Sequence, residues 1–229
     1  DWNWYIRRGG CDFPTSISFL KGWISMLAPA TPHIAEELWK LIGQDGLLAQ
    51  YNLEILTENY DDLEVISKEN FLRDVIATCR NIRTMVERKS NSKLTKLVLQ
   101  TSPNWKNELA SKALELVTSD FNFKENGISY IQSLPIFEEN SLRAEVMQTW
   151  MSLTVGNKKK RGRVFTWSKI EKSLISNLDE KQFLLENSEF IRSELELDSI
   201  EIYRVGEGED VAGKANSAFP LEPGISFLS

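Results

Sequence analysis

The chain has 229 residues, 41% of them hydrophobic, 10% aromatic and 26% charged, which is globular composition and excludes collagen-like, low-complexity and wholly disordered classes. No apolar run approaches the ~20 residues a membrane-spanning helix needs, and the opening DWNWYIRRGG is not a secretory signal. Net charge is −6, which on its face argues against a polyanion partner, and two cysteines, Cys11 and Cys79, make no framework, so a reducing cytoplasmic setting is expected.

Taken in chain order, the opening on Asp1 instead of Met suggests a piece of a longer polypeptide. Residues 16–28 read as an amphipathic helix with Phe19, Trp23, Met26 and Leu27 at helical spacing. Pro29 and Pro32 break it, and Thr31-Pro32 restarts a helix, Thr as N-cap and Pro at the first helical position. That helix places Ile34, Leu38 and Leu41 on one side, with Ile34, Leu38 and Trp39 as core candidates, and stops at Gly43. Residues 44–66 read as an irregular connection with one or two short extended pieces. A long helix is expected from Ser67 to about Lys89, its stripe formed by Leu72, Val75, Ile76, Cys79, Ile82 and Val86, with Arg73, Arg80 and Arg88 on the wet side.

The polar stretch 89–93 is the candidate domain boundary. After it, 94–101 reads as a strand and Ser102-Pro103 opens a helix carrying Trp105, Leu109, Ala113 and Leu116. Helical patterns follow at about 126–134, 137–153 and 166–195. A second strand is expected at 199–205, a short helix near 210–218 and a last strand at 224–229. The expected architecture is therefore α+β and mostly helical, an all-α piece over 1–89 followed by an α+β piece over 93–229 with about three strands.

The residues that are missing restrict the chemistry. One histidine, His33, and two distant cysteines cannot assemble a four-ligand zinc site, so no metal ligand is nominated. Phosphate-binding glycine loops and nucleophile elbows are absent, and no catalytic residue is nominated. His33 reads as structural, and Trp105, Trp150 and Trp167 read as core first. The run NKKKRGR is different: Lys158, Lys159, Lys160, Arg161 and Arg163 repel one another, and phosphates would relieve that repulsion with release of counterions. The same run also fits a solvated loop.

The segment WISMLAPATPHIAEELWKLIG (23–43) resembles the "mLAPfTPHiaEELW" word of class I aminoacyl-tRNA synthetases for leucine, isoleucine and valine, with Ala30 where an aromatic is usual. Two further stretches are similar to the archaeal and eukaryotic-cytosolic leucyl branch. One is LVLQTSPNWKNELASKALEL (97–116); the other is GKANSAFPLEPGISFL (213–228), through Lys214, Ala215, Ala218, Pro220, Pro223 and Ile225. The family's ATP-handling words H-x-G-H and K-M-S-K-S do not occur.

The resemblance implies the C-terminal part of a leucyl-tRNA synthetase: the end of the anticodon-binding helical bundle plus a C-terminal domain that reaches the long variable arm of leucine tRNA. It implies a monomer in the cytoplasm, no cofactor of its own, and ATP and Mg handled by the remainder of the synthetase. On that reading the tRNA-binding candidates are Lys158, Lys159, Lys160, Arg161, Arg163 and Lys214, with Arg73, Arg80 and Arg88 as weaker members. A second reading is a protein-interaction module docking another synthetase through its acidic surface.

Overall fold

The computed structural model describes residues 2–10, 12–51, 62–90, 93–117, 119, 121–138, 142–155, 162–167, 169–208, 210 and 213–228. By packing, the chain divides into two compact units, residues 1–61 and 62–229.

In the first unit, α1 (Trp2–Arg7) is followed by α2 (Phe13–Leu27) and α3 (Pro32–Leu41), then by a 3₁₀ turn at Leu48–Gln50. The aromatic opening is thus helical, and Trp2 stacks on Phe19 at 4.2 Å. Asp12 caps α2, accepting the Thr15 N–H at 2.9 Å. Thr31 stands at the N-cap of α3 as expected, but its hydroxyl donates back to the Leu27 carbonyl at 3.2 Å and does not cap the new helix.

The core here is Ile24, Ala35, Trp39 and Leu48, flanked by Leu20, Leu38, Ile42 and Tyr51. The expected Ile34–Leu38–Leu41 face is corrected: Ile34 and Leu41 lie on the surface, Leu41 78% exposed. Trp39 turns inward on the adjacent face, because an indole buries more apolar area than a second leucine would. Glu36 then takes a structural role: its carboxylate accepts the Leu48 and Ala49 N–H groups at 3.1 and 3.3 Å and ties the turn to α3.

The second unit opens with α4 (Leu63–Ser90), one turn earlier than read, because the Asp62 carboxylate accepts the Glu64 and Val65 N–H groups. Residues 52–61, within the expected irregular connection, lie outside the described residues. Leu72, Val75, Ile76 and Cys79 are buried as expected. They pack α4 against α8 (Lys169–Asn177) and against β3 (Gly224–Leu228). The helix read as the end of the bundle therefore shares its core with the sheet. The stretch at 89–93, of which 91 and 92 lie outside the described residues, is followed by a tie back to the helix: Glu87 accepts the Leu94 N–H at 3.4 Å.

The sheet has three strands in the order β2 (Ser199–Arg204), β1 (Lys96–Thr101), β3, with β1 parallel to β2 and antiparallel to β3. Leu97 pairs with Ile200 on one side and Phe227 on the other, and β1 is buried nearly throughout, as a central strand must be.

Between β1 and β2 run α5 (Asn104–Val117), α6 (Phe123–Gln132), a 3₁₀ turn at Pro135–Glu138, α7 (Arg143–Thr154), a 3₁₀ turn at Arg163–Phe165, α8, α9 (Glu180–Glu186) and α10 (Ser188–Glu194). Trp150, Leu109, Ile131, Leu153 and Val164 fill their common core, and Tyr130 stacks on Trp150. The helical pattern expected over 166–195 is divided among α8, α9 and α10. Asp179 caps α9 through the Gln182 N–H, and the Asn187 side-chain amide donates to the Phe183 carbonyl where that helix stops. The helix expected at 210–218 is, among the described residues, a 3₁₀ turn at Ala215–Ser217.

Candidate nucleic-acid interface

The end of the basic run is set by Gly162. A Cβ there would lie 2.5 Å from the Thr154 carbonyl group, so glycine alone lets the chain lie against the last turn of α7. Lys158, Lys159, Lys160 and Arg161 lie outside the described residues. Arg163 is described. Its guanidinium sits 4.2 Å from the ring centroid of Phe219 and pairs with Glu222. Arg163, the last cation of the run, thus meets the C-terminal segment at Phe219 and Glu222.

The same ring takes a second cation. Lys106 on α5 is buried, with its Nζ 5.9 Å from the Phe219 ring and 5.5 Å from the Trp105 ring. It donates to the Ala218 carbonyl at 2.8 Å and to Asn216 O at 3.5 Å. Burial pulls its pKa down, Glu145 pushes it back up, and nearby Arg163 pulls it down again. Sequence reading missed both Lys106 and Phe219. The one legible signal was a lysine directly after Trp105 on the apolar side of α5, a position a solvated lysine would avoid.

Lys214 is exposed, and its backbone N–H donates to Asp210 Oδ1 at 2.7 Å. It lines a cleft of about 490 Å³ with Asp74, Glu171, Glu222 and Gly224. Gly224 permits that arrangement, since a Cβ there would meet the Lys214 carbonyl oxygen at 2.7 Å. One lysine among three carboxylates, of which Glu222 is already paired with Arg163, is no phosphate cradle.

Of the helix-face arginines, Arg73 lines a neighbouring cleft that shares Asp74, Glu171 and Leu221 with the Lys214 cleft. Arg80 is committed to α10, bonding Glu194 Oε2 at 2.6 Å and Glu194 O at 3.2 Å. Arg83, which was not nominated, bonds Glu87 at 2.9 Å and the Leu195 carbonyl. Arg73 is half-buried beside Asp74 and Glu171, and Arg88 is exposed. Trp150 and Trp167 are core, which removes them as base-stacking platforms; His33 is exposed at the start of α3.

A family model for the anticodon-binding domain of tRNA ligases matches residues 2–99. Across 235 aligned residues the chain is 31% identical to a leucine–tRNA ligase of Methanococcoides burtonii, covering 98% of this chain and 22% of that protein. Along nearly its whole length the chain is similar to leucine–tRNA ligases, and residues 2–99 match the anticodon-binding domain of tRNA ligases. Ligases of the same name from Methanococcus vannielii and Pyrococcus abyssi are 30% and 26% identical, over 98% of this chain and 20% and 21% of theirs. The chain spans about a fifth of the length of these ligases. The anticodon-binding match covers α1 to α4 and enters β1, so it contains the 23–43 word, while the ligase alignments carry the resemblance through the Arg163–Phe219 cluster to the last strand. Among the described residues no helix is long and apolar enough to cross a membrane.

Proposed function

We propose that this chain is a tRNA-recognition region of a leucine–tRNA ligase. It holds the body and long variable arm of leucine tRNA so that the acceptor end meets a catalytic domain elsewhere in the ligase, where ATP and Mg serve leucylation. Binding energy gathered far from the chemistry is then used for orientation. The observation that carries this reading is the convergence of Arg163, Lys106 and the 214–225 segment on Phe219, which joins the root of the basic run to the C-terminal segment shared with the ligases. The lysines of the run favour phosphates, and the acid-lined cleft beside Lys214 favours base or ribose edges; RNA recognition combines the two.

The test is binding of leucine tRNA with and without its variable arm, at two salt concentrations. The expected result is weaker binding on arm deletion and a steep loss of affinity with salt. Equal affinity for both tRNAs would remove the variable arm from the reading, and no binding at either salt would remove tRNA recognition by this region.

A further inference from the structure

The segment that carries Phe219 is turned by a strained residue. Phe219 and Glu222 form a bridge, the Glu222 N–H donating to Phe219 O at 2.8 Å and the Phe219 N–H to Glu222 O at 2.9 Å. Pro220 and Leu221 occupy the corner, and Leu221 has φ +62°. Proline first and a left-handed residue second is the type II pattern, in which the second position ordinarily belongs to glycine or asparagine. A leucine there is held against its own backbone preference.

Its N–H points to a carboxyl group from another part of the fold. Glu180, in the first turn of α9 and 4% exposed, accepts the Leu221 N–H on Oε1 at 2.9 Å. Its other oxygen, Oε2, is buried without a hydrogen-bond partner. The neighbouring Asp179 is engaged elsewhere, capping α9 and taking Arg204 Nη2 at 3.0 Å. Either side of the corner carries the candidate interface: Phe219 lies under the Arg163 guanidinium, and Glu222 pairs with Arg163.

We infer that Glu180 is a positioning residue, whose carboxyl latches the strained Pro220–Leu221 corner and so sets Phe219 and Glu222 where they hold Arg163 for the RNA. This inference rests on the tRNA reading for its consequence but not for its geometry. Glu180 touches no RNA itself and acts only through the corner.

Strain supplies the test. Leu221→Gly removes the backbone penalty, so a glycine corner needs no latch. Four versions of the full chain are compared: wild type, Glu180→Leu, Leu221→Gly and the double variant, with Glu180→Gln as the conservative control. Folding of each is checked by circular dichroism. Two readouts are taken.

The first is the NMR shift of the Arg163 side chain, displaced by the Phe219 ring; it needs no tRNA. It should move toward its free-arginine value in Glu180→Leu and return in the double variant. The second is affinity for leucine tRNA, which should fall about tenfold in Glu180→Leu, the scale of one buried hydrogen bond. It should recover in the double variant and change less than about twofold in Glu180→Gln, which keeps an acceptor oxygen for the Leu221 N–H.

An Arg163 shift unchanged by Glu180→Leu, or unrestored by Leu221→Gly, overturns the latch, since loss of mere core packing would not be cured by a glycine at 221. A restored shift with no tRNA affinity in any version would sustain the latch and sink the tRNA reading instead.

Discussion

Glu180 keeps its proton to higher pH than a surface glutamate would. Burial is the chief cause and adjacent Asp179 adds to it; the Leu221 N–H and Arg204 oppose it, and the net effect raises the pKa from 4.5 to about 7. Lys181 on the same helix pairs with Glu207, and Glu222 beyond the corner pairs with Arg163. Because the folded state holds the proton more tightly than the unfolded chain, this group's contribution to stability is fully present below about pH 4.5 and lost as pH rises through about 7. The loss is on the order of 3 kcal/mol. Glu180→Gln should therefore flatten stability across that range and leave the variant at least as stable as wild type at pH 8. Urea midpoints at pH 5 and pH 8 measure this, and a wild-type minus variant difference equal at both pH values would contradict it. Asp179, Glu201 and Glu207 have lowered pKa values and act in the opposite direction, so the difference between the two proteins, not either curve alone, isolates Glu180.

At the scale of elements, the breaks between α8, α9 and α10 place Glu180 at all. Asp179 ends one helical stretch and starts the next: it accepts the Gln182 N–H at 3.2 Å and holds Arg204 at the end of β2. Asp179→Ala removes a cap and an ion pair together. It should cost about 1–2 kcal/mol, mostly from the cap, since the pair is half-exposed. Thermal unfolding would read this, and a loss below a few tenths of a kcal/mol would mean that α9 is fixed by packing alone. These breaks show where sequence reading reached and where it stopped. The strands and α2 to α5 were legible because period and proline-cap punctuation agree there. The stretch 166–195 is legible only as helical pattern, and the side-chain bonds of Asp179 and Asn187 reveal where it is interrupted. The face of α3 was misread by one position because Ile34, Ala35, Leu38, Trp39 and Leu41 offer two overlapping stripes, and the choice rests on packing against Ile24, a residue distant in sequence. The basic run was legible as charge. The contact of Arg163 with Phe219 was not, because it brings together segments that no local pattern links.

For the whole molecule, the net charge of −6 is a poor guide to RNA binding, because many of its acids face cations of the same fold. Arg80 pairs with Glu194, Arg83 with Glu87, Lys96 with Glu201, Lys181 with Glu207, Arg204 with Asp179 and Arg163 with Glu222. Neutralised pairs project little field, and what remains is screened beyond about 8 Å at physiological salt. A polyanion would therefore respond to local concentration of cations, which in this sequence is highest at Lys158, Lys159, Lys160 and Arg161. Of the run, Arg163 is already paired with Glu222, so on the proposed reading the further phosphate contacts belong to the lysines. Replacing Lys158, Lys159 and Lys160 with Ala should weaken leucine tRNA binding and lower the slope of log affinity against log salt by about 0.9 for each duplex phosphate that is no longer neutralised, taking the B-DNA value for RNA. Arg80→Ala, by contrast, should cost stability through the missing tie to α10 and leave that slope unchanged. A salt titration of the two variants separates the roles: an unchanged slope in the triple variant would take the lysine run off the RNA, and a reduced slope in Arg80→Ala would put the α4 face back on it.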